Sequence, residues 1–240
     1  MKITSVSNEL VKETAKLLQR KHRDEKGLFL LEGEKCIKEA IDSGLEIVHI
    51  FKEEGCAEFS DAIEATEAVL SKISSTTTPP KAVAAARMVK HEWKDSYKKV
   101  VLLENIKDAG NLGTILRTSA AFGVDAVVLY GDTVDLYNPK CVRSSVGNLW
   151  KIPVYEFKDL DKFTSYERIA TLPKAENTIW LKDYQPAEKI LIMFGAESTG
   201  LSEELKNFAV KNVTIEMDNK VESLNLSVSV GVFLYSTLNL

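Results

Sequence analysis

From residue 100 to the end of the chain, short apolar runs alternate with stretches of helical periodicity, a pattern that restricts this half to a mainly parallel sheet with helical crossovers. Residues 100–103, 126–130, 152–155 and 190–194 read as strands; residues 112–122, a stretch near Val142 and a short segment after Ser202 read as helices. The chain closes with a strand in which Val213 and Ile215 alternate with Thr214 and Glu216, then a helix whose apolar residues recur from Leu224 onward. Ser223 is the expected N-cap of that helix, and free backbone N–H groups beside it make the turn between Met217 and Asn225 a candidate binding loop. An ordinary capped helix packed on a sheet accounts for the same residues.

The first half reads as an amphipathic helix at 8–22, a buried strand at 28–31, a helix at 34–43 stopped by Gly44, a strand at 46–51 and an Ala- and Glu-rich helix at 57–68. Ser74-Ser-Thr-Thr-Thr-Pro-Pro-Lys81 is a loop, because its double proline excludes regular structure. The short polar segment 91–97 precedes the strand at 100–103, which places a domain boundary at 95/96: residues 1–95 and 96–240. Lys12, Lys16 and Arg20, spaced i, i+4, i+8 and followed by Lys21, Arg23 and Lys26, form either a basic edge for nucleic acid or a solvated helix face.

The net charge of −4 argues mildly against a nucleic-acid binder, although local placement overrides global charge. No apolar run is long enough to span a bilayer and the first residues lack a signal-peptide core, so a cytoplasmic protein without a membrane partner is expected. Cys36, Cys56 and Cys141 are scattered and odd in number, as are His22, His49 and His91, a distribution that fits reduced thiols and no metal centre.

Three loops carry the functional signal. Glu104-Asn-Ile-Lys-Asp-Ala-Gly-Asn-Leu-Gly113 follows a strand, with Gly110 and Gly113 allowing a tight turn and Arg117 one helical turn further in, facing the same end. Neither the dinucleotide fingerprint nor the Walker spacing is present, which disfavours a generic nucleotide-binding enzyme. Phe194-Gly-Ala-Glu-Ser-Thr-Gly-Leu-Ser202 repeats the arrangement, projecting Glu197 from a loop flanked by Gly195 and Gly200; that carboxylate orients a ligand or caps the next helix. Ser223-Leu-Asn225 is the third. All three fall at strand ends.

Asp108-Ala-Gly-Asn-Leu-Gly-Thr-Ile-Leu-Arg-Thr118, Phe194-Gly-Ala-Glu-Ser-Thr-Gly-Leu201 and Ser223-Leu-Asn-Leu-Ser227 resemble, in order and spacing, the three motifs of the SpoU/TrmH family of RNA 2′-O-ribose methyltransferases. Asn138-Pro-Lys-Cys-Val-Arg-Ser-Ser145 is similar to a further family segment, so the resemblance covers residues 98–240. Residues 1–90, with Ser5-Val-Ser-Asn8 and Phe29-Leu-Leu-Glu-Gly33, look like the family's smaller α/β RNA-binding domain.

The resemblance implies an α/β fold whose parallel-sheet SPOUT domain ends in a trefoil knot, and a homodimer with active sites at the subunit interface. It implies S-adenosylmethionine held by Gly195, Ile215, Met217, Ser223, Leu224 and Asn225, and a catalytic set of Asn111, Arg117, Glu197, Ser223 and Asn225. The expected reaction is metal-free attack of a ribose 2′-hydroxyl on the sulfonium methyl group, with ribosomal RNA favoured over transfer RNA. Arg117 is assigned to orienting the hydroxyl and adjacent phosphate, with a base role open, since a guanidinium pKa above about 12 resists deprotonation. Two departures stand out: Ala109 and Glu216 occupy positions where the family usually has proline, and Glu216 either places a charge near the expected adenosine pocket or, as a strand-end side chain, points to solvent. A catalytically silent RNA-binding paralogue is the alternative.

Overall fold

The computed structural model describes residues 1–174, 177–218, 220–221 and 223–237. The chain forms two compact units, residues 1–90 with 135–150, and residues 91–134 with 151–240. The division expected at 95/96 has no counterpart to the 135–150 excursion, which packs with the first unit.

The first unit contains β1 (Lys2–Ile3), α1 (Glu9–Lys16), α2 (Arg20–Lys26), β2 (Leu28–Glu32), α3 (Glu34–Asp42), β3 (Ile47–Glu53), β4 (Ile63–Ala65), α4 (Glu67–Ile73) and β5 (Ala82–Arg87). To these the excursion adds helix Pro139–Ser145, α6 in chain order. The sheet runs β1-β4-β3-β5-β2, antiparallel about β5 and parallel elsewhere. Phe51, Val69, Ile73 and Val83 fill its core.

Two sequence readings give way here. The single helix expected over 8–22 breaks between Lys16 and Arg20, where Leu17 is buried and the Arg23 guanidinium turns inward to donate to Leu17 O at 2.7 Å. The continuous basic edge therefore does not form: Lys12 and Lys16 pair with Glu9 and Glu13, Arg20 with Asp24, Lys21 with Glu25, and Lys26 with Glu13. The helix expected over 57–68 is instead a turn with Phe59 at φ 59°, followed by β4 and α4. Pairing of β4 with β1 and β3 outweighs the helical preference of its Ala and Glu residues.

The excursion is held by two charge pairs. Arg23, 3% exposed at its side chain, pairs with Asp135, and the Arg143 guanidinium pairs with Glu32, whose side chain is 2% exposed. Glu32 also accepts from the Ser74 and Ser75 hydroxyls, and the Phe29 and Tyr137 rings meet at 4.7 Å. Replacing Arg143 with alanine leaves a buried carboxylate without its cation, at a cost of about 3 kcal/mol, the lower end for such a loss because the serines still donate. Urea titration should read this as a lowered midpoint.

The second unit contains β6 (Lys99–Glu104), α5 (Ala109–Ala121), β7 (Ala126–Tyr130), β8 (Val154–Glu156), β9 (Glu167–Thr171), β10 (Ile179–Trp180), β11 (Ile190–Phe194), α7 (Glu203–Phe208), β12 (Lys211–Thr214) and α8 (Leu226–Thr237). Its seven strands are all parallel, in the order β10-β12-β9-β11-β6-β7-β8. The chain runs outward from β6 through β7 to β8, then returns on the other side of β6, which makes the β6/β11 boundary the switch point where a crevice opens beyond the carboxyl ends of the strands. Helices α5 and α8 pack on each other, with Phe122 and Tyr235 in edge-on contact at 6.1 Å.

Candidate active site

The loops carrying the sequence motifs converge at that switch point. β6 ends at Glu104, the chain turns through Asn105 at φ 55°, and Asp108 caps α5 by accepting the Asn111 N–H at 2.8 Å. The glycine turn expected at Gly110 and Gly113 is helix instead, because α5 already begins at Ala109 and Asn105 makes the turn. Ala109 occupies the first helical position, where proline is tolerated for the same geometric reason, so its presence leaves the helix start intact.

Asn111, Glu197 and Asn225 form one hydrogen-bonded triangle. Glu197 Oε1 accepts from Asn111 Nδ2 at 2.5 Å and from Asn225 Nδ2 at 3.3 Å, and Asn225 Nδ2 lies 3.2 Å from Asn111 Oδ1. Asn225 Oδ1 accepts from the Ser227 N–H at 2.9 Å and its hydroxyl at 2.6 Å. Asn225 is thus the residue that caps α8, displacing the expected Ser223. With its oxygen committed to the helix start, its amide is obliged to face Glu197. Glu197 Oε2 accepts from no described residue.

Arg117 stands apart. It is exposed on α5 and makes no hydrogen bond or ion pair with a described residue.

A cavity of about 180 Å³ opens beside the triangle at the ends of β9, β11 and β12. Its wall includes Gly195, Ile215, Met217, Ser223 and Leu224 of the expected cofactor set, together with Glu197. Asn225 lies outside the lining and reaches the site through Glu197. Gly195 is required by close approach: a Cβ there would lie 2.1 Å from the Gly200 carbonyl carbon and 2.3 Å from Leu201 N. The Gly200 N–H donates to Ala196 O at 2.8 Å, closing the loop into a tight ring of backbone.

Glu216 does not line this cavity. Its carboxylate pairs with Lys182 at 2.6 Å, and that contact raises the lysine pKa. Of the two readings of Glu216, the structure has the solvent-facing one, with the charge matched by an exposed partner.

Two contributors escape the sequence reading. Thr171, Leu172 and Pro173 wall the cavity at the end of β9, a strand hidden by the charges of Glu167 and Arg168; the signal available was Ile-Ala-Thr ahead of a proline. Glu104 is 3% exposed, and its Oε2 accepts the Ser202 N–H at 2.7 Å, pinning the far end of the Gly195–Gly200 loop to β6.

Comparison with known proteins places this geometry. Residues 98–235 match the model of the SpoU rRNA methylase family, and residues 8–84 match an MRM3-like substrate binding domain. The 23S rRNA (guanosine(2553)-2′-O)-methyltransferase of Bacillus subtilis is 30% identical, over 97% of both chains. A tRNA/rRNA methyltransferase of Synechocystis, itself uncharacterized, is 34% identical over 97% of this chain and 92% of that one. A crystal structure of an RNA 2′-O ribose methyltransferase superposes with a TM-score of 0.84 at 33% identity, covering 98% of this chain and 97% of the other. An AdoMet-bound rRNA methyltransferase of Sinorhizobium meliloti gives 0.86 at 26% identity, covering 98% and 96%.

Proposed function

Because the chain belongs to the SpoU rRNA methylase family, we propose that the cavity beside Gly195 holds S-adenosylmethionine and that Asn111, Arg117, Glu197, Ser223 and Asn225 carry the reaction. The protein is an S-adenosylmethionine-dependent RNA 2′-O-ribose methyltransferase. Its proposed substrate is structured ribosomal RNA. The observation that carries the assignment is the Asn111–Glu197–Asn225 triangle at the mouth of the cavity.

The residues present fit the cofactor. Phe194, Val213, Leu226 and Phe233 supply apolar surface, and the backbone of Gly195, Ile215, Met217, Ser223 and Leu224 supplies polar groups for a nucleoside. When bound, S-adenosylmethionine supplies an electrophilic methyl group on a sulfonium. Everything else falls to positioning, which suits a set of amides and one carboxylate. Asn111 and Asn225 fix Glu197 through Oε1, leaving Oε2 to accept a hydrogen bond from the ribose hydroxyl, and the Ser223 hydroxyl borders the same cavity. Arg117 orients the hydroxyl and its neighbouring phosphate as a planar donor.

The expected trefoil knot is supported by the shared place of Gly195, Ile215, Met217, Ser223 and Leu224 in the wall of one cavity. The proposed homodimer is supported by α8, which exposes Val228, Val232 and Tyr235 along one face. A second copy seated on that face would meet α5, where Thr118 and Phe122 already touch Gly231 and Tyr235, and would bring an exposed Arg117 to the junction. Val228→Glu combined with Tyr235→Glu should convert a dimer to monomers in light scattering and reduce methyl transfer more than tenfold. A dimer undisturbed by both changes removes α8 from the interface.

Pairing of Glu216 with Lys182 removes the main ground for a silent paralogue. The deciding experiment supplies labelled cofactor and ribosomal RNA from a strain lacking the enzyme, then maps methylated ribose. No label on RNA, with no cofactor binding at millimolar concentration by calorimetry, would overturn the assignment.

A further inference from the structure

A second cavity of the second unit, of about 110 Å³, shares Ala196, Glu197 and Leu226 with the cavity beside Gly195. Its remaining wall is Ile106, Lys107, Asp108, Asn111 and Ser198. The carboxylate of the hydrogen-bonded triangle therefore borders both spaces.

The loop that contributes Lys107 is clasped to the loop that follows β7. The Asn105 N–H donates to Tyr130 O at 3.0 Å, Asn105 Oδ1 accepts the Asp132 N–H at 2.8 Å, and the Val134 N–H donates to Ile106 O at 2.7 Å. Glycine at 131 is required by that clasp, since a Cβ there would lie 2.4 Å from Asn105 Oδ1. Asp132, with its backbone so fixed, pairs with Lys107, and the pair takes one of the three ammonium donors. Both side chains are more than half exposed, so the pair adds little to stability. What it does is hold a cation in the wall of the cavity.

With the cofactor in the cavity beside Gly195, the ribose whose hydroxyl meets Glu197 has the neighbouring space to occupy. A ribose within an RNA strand carries a phosphodiester on either side. Lys107 is the one cation among the described residues that line this space, and two of its donors remain after Asp132. Asp108 spends Oδ1 on the Asn111 N–H at the start of α5, and Ser198 adds a hydroxyl to the same wall. We propose that Lys107 is a positioning residue that binds a backbone phosphate flanking the methylated ribose, fixing the acceptor nucleotide from the same chain that supplies Glu197. The proposal rests on the methyltransferase reading of the site. A phosphate contact carries no base information, so this lysine places the ribose without choosing the nucleotide.

The test uses the full chain, protein-free ribosomal RNA from a strain lacking the enzyme, and filter binding over a range of salt, so the contact is read independently of methyl transfer. Lys107→Gln should make the slope of log affinity against log salt shallower by about 0.7 to 0.9, the value for one lost phosphate contact, which at 0.1 M salt is roughly a fivefold to eightfold loss. Tm and the dissociation constant for S-adenosylmethionine should not change, because the side chain is exposed and lies outside the lining of the cofactor cavity. Lys107→Arg should restore the slope. Once the methylated ribose is mapped, a synthetic RNA with a neutral methylphosphonate in place of one or the other flanking phosphate locates the contact: one of the two should weaken binding by the unaltered protein and leave Lys107→Gln no weaker. An unchanged slope in Lys107→Gln, no recovery in Lys107→Arg, or additive losses at both methylphosphonates would each overturn the proposal. Absence of methyl transfer by the unaltered protein would instead overturn the reading of the cofactor site, while a shallower slope in Lys107→Gln would still support the phosphate contact.

Discussion

Arg117→Ala is expected to lower kcat for methyl transfer by about 10²-fold or more, the usual scale for losing a group that orients reactants. The same variant should bind S-adenosylmethionine within about twofold of the unaltered protein, because Arg117 does not line the cavity beside Gly195. Its fold should be unaffected, since the side chain is exposed and bonds no described residue. Arg117→Lys separates charge from shape: a compact ammonium cannot reproduce the planar fork, so recovery should be partial. Full activity in Arg117→Ala, measured with saturating RNA and cofactor, removes the residue from the mechanism.

Gly195→Ala is expected to weaken S-adenosylmethionine binding by tenfold to a hundredfold. A Cβ would enter the space of Gly200 and Leu201 backbone, at 2.1 to 2.3 Å, where no side chain can rotate away. The loop must then shift, and forced backbone shifts cost roughly 1–3 kcal/mol. The shift moves Glu197 as well, so kcat should fall even when the cofactor is saturating. Calorimetry and steady-state kinetics together check both effects, and unchanged cofactor affinity would refute the close-packed role of this glycine.

The elements legible in the sequence are those whose signal is local. β6, β7, β11, α5 and α8 each carry an unbroken apolar run or periodicity, and the loops after β6 and β11 are recognisable by residue type and spacing. β5 was not legible: Ala82–Arg87 is rich in a helix-favouring residue and becomes a buried strand because β2 and β3 pair on both sides of it. The same holds for β9, whose charged first residues conceal it. In the site, the sequence pattern supplies Asn111, Glu197 and Asn225 as three members of a set, while the contacts among them do not follow from spacing, since they lie 86 and 28 residues apart.

By itself the sequence determined the parallel α/β character of the second half, the three loops at strand ends and, through their motifs, the resemblance to a methyltransferase family. These are properties of periodicity and of short strings, which do not depend on what packs against them. Tertiary structure alone decided that Asn225 rather than Ser223 caps α8, that Glu216 turns outward to Lys182, that residues 135–150 join the first unit, and that Arg117 meets no partner among the described residues. Each of these depends on which distant segment supplies the neighbouring charge, donor or apolar surface, and one-dimensional spacing carries no record of that.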